Sequence, residues 1–189
     1  MEVKSQILES IRLKQVLLQD TRVESLLKQT VERVVHAYRT GGKVLFCGNG
    51  GSAADAQHLA AELSGCFYLN RPPLNAEALH VNGSFLTATA NDHSFDQVYK
   101  RMVQAVGKRG DILMAFSTSG KSENIIQALE AARNLNMYCV GFTGQHGAGM
   151  SGLCDLVFEI PSADTPRIQE IHMLLGHIIC EQVESILFN

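Results

Sequence analysis

The stretch Met114-Ala-Phe-Ser-Thr-Ser-Gly-Lys-Ser-Glu-Asn124 decides the fold that this sequence predicts. An apolar run over residues 111–116 stops at a cluster of hydroxyl residues, and a helical pattern begins at Asn124. This order predicts a buried strand, a tight loop and the N-terminus of a helix. Because the first turn of a helix has unpaired backbone N–H groups and partial positive charge, we expect the loop to bind an anion, and phosphate is the expected one.

The loop holds four hydroxyl side chains within six residues: Ser117, Thr118, Ser119 and Ser122. An ordinary helix N-cap needs one hydroxyl, so the alternative is that Ser119 or Ser122 caps the helix while the others face water. Four hydroxyls exceed that need. The sequence therefore favours an anion-binding loop over a simple cap.

Composition and charge limit the class of protein. The chain has 189 residues, of which 46% are hydrophobic and 19% charged, as in a folded domain. A formal net charge of -3 without a Lys/Arg-rich segment argues against nucleic-acid binding.

Charged residues interrupt the apolar runs near the N-terminus, and we find no span of the length that a bilayer needs, so we expect a cytoplasmic protein without membrane contact. The five cysteines are scattered, which favours neither disulfides nor a structural zinc site, and Cys47 and Cys139 are expected in the core.

Two helical patterns precede the first predicted strand. The first covers residues 3–19, and the second begins at Thr21, its expected N-cap, and ends at Gly41-Gly42. Neither helix is needed to complete a βαβ unit, so their apolar faces should pack against another subunit or against the last helix. We therefore expect an oligomer in which residues 1–40 form a helical oligomerisation segment and the long C-terminal helix also takes part.

From Gly42 onward the pattern alternates between strands and helices. The predicted strands cover residues 43–47, 77–81, 111–116, 136–142 and 155–160. The predicted helices cover residues 53–63, 83–90, 95–106 with Ser94 as cap, 124–135, and a long segment from Arg167 to the C-terminus. This alternation predicts an α/β fold with a five-stranded parallel sheet flanked by helices, and with ligands bound beyond the carboxyl ends of the strands.

The loops after the first and third predicted strands, residues 48–52 and 117–122, should lie side by side at that edge of the sheet. Two nucleotide-binding motifs are alternatives there. Gly48-x-Gly50-x-x-Ala53 is similar to a dinucleotide fingerprint, but no acidic residue ends the second predicted strand. Ala115-x-x-x-x-Gly120-Lys121-Ser122 is similar to a P-loop, but alanine replaces its first glycine and no strand ending in a magnesium-binding Asp is evident.

Titratable residues cluster in two predicted helices. His58 and Glu62 form an i,i+4 pair that places an imidazole and a carboxylate on one helix face, although such pairs are also common as solvated surface pairs. The last helix adds Gln169, His172 and His177 as candidates. The alternative for each histidine is a structural role with its ring hydrogen-bonded. His177 lies in an apolar stripe, where a polarisable ring is less easily explained by structure alone.

The combination of five segments is more specific than any one of them. They are Cys47-Gly-Asn-Gly-Gly-Ser52, Gln57-His-Leu-Ala-Ala-Glu-Leu63, Asn91-Asp92, Ser117-Thr-Ser-Gly120, and Arg167-Ile-Gln-Glu-Ile-His172 followed by His177. Together, over nearly the whole chain, they resemble the phosphoheptose isomerases of the sugar isomerase (SIS) domain superfamily. The resemblance implies one flavodoxin-like SIS domain over residues 1–189.

The resemblance also implies a function. Members of this family are homotetramers with active sites at subunit interfaces, and they convert sedoheptulose 7-phosphate into D-glycero-D-manno-heptose 7-phosphate on the way to ADP-heptose for bacterial surface glycans. By position, Glu62 and His177 match the acid/base pair of this aldose–ketose isomerase. The implied ligands of one zinc ion per subunit are His58, Glu62, Gln169 and His177. The implied substrate contacts are Asn49, Gly50, Gly51, Ser52, Glu62, Asn91, Asp92, Ser117, Thr118, Ser119, Ser122 and Gln169.

Spacing adds a constraint on the implied zinc ligands. Gln169 and His177 are eight residues apart, which is roughly 12 Å along a helix, so both reach one ion only if their side chains converge or come from different subunits. A departure from the family is Gly65-Cys66, where members carry a basic residue. One substrate contact is therefore absent or supplied by Arg71.

The competing function is that of a non-catalytic relative. Such SIS proteins bind a sugar phosphate, and one type acts as a tetrameric regulator of replication initiation. A protein of that kind should lack the catalytic pair, whereas this chain has both Glu62 and His177. The sequence therefore favours the isomerase.

Overall fold

The computed structural model describes residues 3–189 and, for Ala148, the backbone alone. A five-stranded, all-parallel sheet with the order β2-β1-β3-β4-β5 lies at the centre of this part of the chain. The strands are β1 Val44–Gly48, β2 Ala76–Ala78, β3 Ile112–Ser117, β4 Tyr138–Gly144 and β5 Leu156–Ile160. The predicted flavodoxin-like sheet is confirmed, and its strand order reverses between β1 and β3, where ligands of such folds bind.

Helices surround this sheet. They are α1 Val3–Gln19, α2 Thr21–Arg39, α3 Gly51–Ser64, α4 Gly83–Asp92, α5 Val98–Val106, α6 Glu123–Asn134, α7 Ala148–Ser151 and α8 Thr165–Phe188. The short helix α7 was not predicted because four residues are too few to show a helical period.

Two predicted helix starts were wrong. Asp20, rather than Thr21, caps α2, because its carboxylate accepts a hydrogen bond from the backbone N–H of Arg22 at 3.0 Å. Ser94 makes no capping hydrogen bond, and a 3₁₀ turn over Phe95–Gln97 precedes α5. In both places the apolar period correctly predicts a helix, but the hydrogen bonds of its first turn differ from the predicted cap.

The core lies on both faces of the sheet. Helices α1, α2, α3 and α8 cover one face, and α4 to α7 cover the other. On the first face the rings of Phe116, Phe142 and Phe158 stack across β3, β4 and β5, with centroids 4.4 and 4.9 Å apart. Each fully buried ring contributes about 2–3 kcal/mol by removing apolar surface from water. Cys47 and Cys139 are buried in the strands, as predicted.

Helix α8 corrects the expectation that no span reaches the length of a bilayer. Its 24 residues are long and apolar enough to cross a membrane by length and composition, and 44% of its most apolar window is buried within the protein. Residues such as Ile171, Leu175 and Ile179 pack into the core with the sheet, α2 and α3. Packing in the core therefore accounts for the apolar composition of this helix.

The two N-terminal helices follow one of the predicted alternatives, since both α1 and α2 contact α8. Leu13 of α1 and Val34 of α2 are fully buried in the core of the same chain. The use of residues 1–40 in oligomerisation, and the treatment of residues 1–189 as one domain, stay predictions.

Candidate active site

The carboxyl ends of β1 and β3 place two polar loops side by side. Gly48 at the end of β1 lies opposite Phe116 in β3, so the glycine loop (residues 48–52) and the hydroxyl loop (residues 117–122) meet at one edge of the sheet, as predicted. Gly50 has a φ of 56°, a left-handed conformation that a residue without Cβ adopts easily. The glycine loop thereby turns sharply into α3.

Three hydroxyl groups of the hydroxyl loop converge. The Ser117 hydroxyl donates to Ser122 Oγ at 3.1 Å, and its oxygen lies 3.5 Å from that of Ser119. Ser122 occupies the N-cap position of α6 but makes no capping hydrogen bond. The simple-cap alternative therefore fails for Ser122, and the cluster lies at the positive end of α6, where an anion is favoured. Thr118 lies in the same loop, and its carbonyl accepts a hydrogen bond from the Gly144 N–H.

An amide pair connects the two loops. Asn49 and Asn124 donate to each other through their side-chain NH₂ groups, at 2.8 and 2.9 Å. Asn124 is buried, which holds this pair in one geometry. The Tyr99 hydroxyl donates to the Gly48 carbonyl at the start of the glycine loop. Sequence reasoning missed Asn124 and Tyr99, although Asn124 directly follows the hydroxyl loop.

Gln169 of α8 lies against the glycine loop. Its side-chain NH₂ donates to Ser52 Oγ at 3.3 Å. A Cβ added at Gly51 would lie 2.6 Å from Gln169 Nε2, so a larger residue there would require the Gln169 side chain to move. The structure thus brings Gly51, Ser52 and Gln169 together at the start of α3.

His58, Glu62 and His177 form a cluster farther along α3 and α8, here called the acid/base cluster after the roles that the sequence predicts for Glu62 and His177. His58 Nε2 lies 3.0 Å from Glu62 Oε1 and 3.1 Å from His177 Nε2. The ligand atoms of all three residues lie within 4.8 Å of one another. The helices approach closely here because Gly176 has no side chain; a Cβ there would lie 2.5 Å from Leu59 Cδ1.

The geometry of this cluster suits a cation. An imidazole nitrogen carries at most one hydrogen, so the single His58 Nε2 cannot donate to both Glu62 and His177 at once. Three electron-pair donors facing one point are better satisfied by a metal ion. Two histidines and a carboxylate are a common protein ligand set for catalytic zinc, with one position left for water or substrate.

Asn91 and Asp92 pair with each other. They occupy the exposed end of α4, where the Asn91 NH₂ donates to Asp92 Oδ1 at 2.9 Å. Within residues 3–189 they make no hydrogen bond to another predicted site residue. Their role in substrate binding stays a prediction.

Arg71 does not supply the substrate contact for which it was considered. Its side chain is buried, forms an ion pair with Glu184 at 2.8 Å and donates to backbone carbonyls. With these partners it faces the protein interior, so the missing basic residue at Cys66 is not replaced by Arg71.

Two further titratable groups lie near the cluster. Burial raises the pKa of Asp55 to about 6, while His58 one turn later acts in the opposite direction. Sequence reasoning missed Asp55, whose i,i+3 spacing from His58 was the available signal. Burial lowers the pKa of His172 to about 4. Its Nε2 lies 3.4 Å from the Thr143 carbonyl, whereas its buried Nδ1 has no hydrogen-bond partner among the described residues, so the interpretation of His172 as a hydrogen-bonded structural histidine holds for one ring nitrogen only.

Comparison with known proteins defines the class first. The SIS domain family profile matches residues 10–144, and the chain therefore belongs to the SIS domain family. Phosphoheptose isomerase from Burkholderia pseudomallei (strain 1710b) is 47% identical over 187 residues, which cover 99% of this chain and 95% of that protein.

Solved structures agree with this relationship. The phosphoheptose isomerase from Neisseria gonorrhoeae superposes with a TM-score of 0.90 at 40% identity, and that from Francisella tularensis with 0.93 at 34%; each pair covers 97% of both chains. The resemblance to phosphoheptose isomerases predicted from the sequence is confirmed.

Proposed function

We propose that this chain is an isomerase that converts sedoheptulose 7-phosphate into D-glycero-D-manno-heptose 7-phosphate, the first step of ADP-heptose biosynthesis. The observation that carries the proposal is that the acid/base cluster is assembled in a chain 47% identical to a phosphoheptose isomerase. A fold alone does not name a reaction, so the side chains have to account for it.

The hydroxyl loop would hold the phosphate. Hydroxyls from Ser117, Ser119 and Ser122 converge at the start of α6, where the helix dipole favours a dianion. The glycine loop beside it, with Asn49 and Ser52, would contact the sugar hydroxyls. Together they fix the substrate without taking part in proton transfer.

Glu62 and His177 would move the protons. The reaction removes a proton from C1 of the open-chain ketose and returns one to C2, through an enediol(ate). Glu62 suits this transfer because one carboxylate oxygen faces His58 and the other can face the substrate. Because His177 Nε2 faces His58 and the proposed metal, His177 would act as the acid through Nδ1, towards the ring oxygen or the carbonyl oxygen. The net proton count is unchanged.

We propose zinc as the resident metal, held by His58, Glu62 and His177. When bound, it would polarise the substrate carbonyl and stabilise negative charge on oxygen. Purified protein should contain about one zinc per chain by elemental mass spectrometry, and His58→Gln should lose it. Metal-free protein that keeps full activity would remove zinc from the proposal.

A homotetramer with interfacial sites is proposed as well. Helix α1 leaves Ile7, Leu8 and Leu18 exposed by 55%, 54% and 87% in the single chain. Gln169 contacts Ser52, and His177 contacts His58. Ser52 and His58 are six residues apart, roughly 9 Å along α3, so Gln169 lies away from the acid/base cluster of its own chain. This separation supports a metal site that a second copy of the chain completes with its Gln169. Analytical ultracentrifugation should give four times the chain mass; a monomer would contradict this. The cytoplasmic location stays a prediction.

The alternative, a non-catalytic sugar-phosphate-binding regulator, is not favoured by the comparisons. Relatives that align with 99% of this chain carry the name of the isomerase. The direct experiment incubates the protein with sedoheptulose 7-phosphate and follows the aldose product by NMR. Turnover that disappears in Glu62→Ala supports the isomerase. A folded, zinc-loaded parent protein without turnover would instead favour the non-catalytic regulator.

A further inference from the structure

The segment after α3 lies across α8, close to the acid/base cluster. Glu184 of α8 accepts hydrogen bonds from three successive backbone N–H groups of this segment, at Phe67, Tyr68 and Leu69, with distances of 3.1, 2.7 and 3.0 Å. Burial opposes ionisation of Glu184, but these bonds and Arg71 outweigh it and lower the pKa of the carboxyl. One carboxylate thus fixes the backbone of residues 67–69.

Arg71 attaches the same segment to the end of α3. Its guanidinium donates to Glu184 at 2.8 Å and to the carbonyls of Glu62, Leu63 and Gly65 at 2.8, 2.8 and 3.1 Å. The side chains of Arg71 and Glu184 are each 2% exposed. A buried ion pair is stable only with its remaining donors and acceptors satisfied, as they are here. The Arg71–Glu184 pair therefore connects α3, residues 65–71 and α8 rigidly.

Phe67, within this fixed segment, lies against His177. The two rings stack with a centroid distance of 5.6 Å and an interplanar angle of 22°. His177 also meets the His58 ring edge-to-face, with centroids 5.1 Å apart. The His177 imidazole thus contacts both an apolar ring and a second imidazole.

We propose that Phe67, held in place by the Arg71–Glu184 pair, is a positioning residue that fixes the orientation of the His177 imidazole. The inference rests on the proposed function, in which His177 is the acid. An imidazole at a half-exposed helix position can occupy more than one rotamer unless a neighbour excludes the others. A displacement of about 1 Å in a catalytic group can lower the rate by up to about 10²-fold, so the stacked ring bears on turnover without touching substrate.

Kinetics of Phe67 variants test the proposal. Phe67→Leu should lower kcat roughly tenfold and leave KM for sedoheptulose 7-phosphate within about twofold, because the substrate contacts are unchanged. Phe67→Tyr keeps a ring in the same plane and should recover most of kcat. Tyr68→Leu is the comparison variant: it removes the adjacent ring, 73% exposed, which contacts Phe67 with centroids 4.4 Å apart but does not stack on His177, and it should lower kcat much less than Phe67→Leu. Equal losses in the Leu and Tyr variants of Phe67 would overturn the proposal.

NMR of the histidine rings gives a readout that does not need turnover. The His177 ring signals, assigned by their loss in His177→Gln, should shift in Phe67→Leu because the stacked ring no longer lies over the imidazole. Tyr68→Leu should shift them much less. If the parent protein does not isomerise the substrate, the proposed function fails while the NMR shift still decides the positioning role. Normal turnover with unmoved His177 signals in Phe67→Leu refutes the positioning role alone.

Glu184→Gln tests the support of the ring. It keeps the shape of the side chain but leaves the Arg71 charge without its partner, so a folded variant should show the lower kcat and the shifted His177 signals of Phe67→Leu. Folded Glu184→Gln with parent-like signals would exclude the ion pair from the positioning. Should this variant not fold, as circular dichroism would reveal, the Phe67 variants decide the proposal by themselves.

Discussion

The hydroxyl loop and the acid/base cluster lie in the same molecule but are assembled in different ways. The hydroxyl loop consists of consecutive residues whose oxygens meet within 3.5 Å because one tight turn brings them together. The acid/base cluster joins His58 to His177, 119 positions away, and exists only because α3 packs on α8. The phosphate binding that we propose would thus be encoded locally, and the proposed proton transfer would depend on the packing of two helices. Changes in the first should affect KM, and changes in the second should affect kcat.

The largest effect is expected from Glu62→Gln. The amide keeps the size of the side chain but cannot take a proton from carbon, so kcat should fall by about 10³-fold with little change in KM. Steady-state kinetics measure this. Glu181→Gln, on the exposed side of α8, is the control and should be silent. A rise in KM as large as the expected fall in kcat would mean that Glu62 mainly binds substrate rather than transferring its proton. The contrast between the hydroxyl loop and the acid/base cluster would then be weaker.

The next effect should come from the hydroxyl loop. The double variant Ser119→Ala/Ser122→Ala removes two hydroxyls that would bond the phosphate dianion, each worth about 1.5–3 kcal/mol, of which backbone N–H groups recover part. We expect KM to rise roughly 30- to 100-fold, with kcat within about threefold. The affinity for inorganic phosphate, measured by calorimetry, should fall in parallel. Ser25→Ala, at an exposed position of α2, serves as control. Unchanged affinity in the double variant would mean that these two hydroxyls do not bind the phosphate.

A smaller effect tests the packing itself. In Gly176→Ala the new Cβ would meet Leu59 at 2.5 Å, so α8 has to move from α3 beside the acid/base cluster. Overpacking of this kind costs about 1–3 kcal/mol of stability, and we expect kcat to fall roughly tenfold without a rise in KM. Gly83→Ala, where a Cβ meets open space, is the matched control. A parent-like kcat in a destabilised Gly176→Ala protein would show that the cluster tolerates movement of the helices.

The same contrast explains what could be read from the sequence. The strand, the hydroxyl loop and the start of α6 were predictable because a change from apolar run to hydroxyls to helical period is visible within a dozen residues. The i,i+4 pair of His58 and Glu62 was visible for the same reason. Its partner His177 was not predictable from spacing, and was assigned only through the resemblance to a family.

The remaining residues were missed because their meaning depends on tertiary contacts. Arg71 follows a polar loop and precedes two prolines, so nothing local distinguishes a buried ion pair from a solvent-exposed cation. Glu184 lies near the end of a long amphipathic helix, where a carboxylate usually faces water. Phe67 gains its importance from one contact with His177. Such contacts follow from the packing of α3, α8 and the segment between α3 and β2, which a single sequence does not show.

The smallest effect on turnover is expected at His172, the buried neighbour of the cluster on α8. Burial lowers its pKa to about 4, against about 6.5 in an unfolded chain. Between these pH values His172 is protonated in the unfolded chain but neutral in the folded protein. The free energy of unfolding therefore falls as the pH falls through this window. From pH 7 to pH 4.5 the loss due to His172 is about 2–3 kcal/mol.

His172→Leu should therefore flatten the dependence of stability on pH, measured by urea unfolding at several pH values, even though lost packing lowers its stability at pH 7. Its kcat at pH 7 should stay within a few-fold, because the side chain faces Thr143 rather than the acid/base cluster. His36→Leu removes an exposed histidine and should keep the parent slope. Parallel pH curves for the parent and His172→Leu would mean that His172 accepts a proton in the folded protein. A large loss of kcat would instead place this residue with His177 and extend the acid/base cluster along α8.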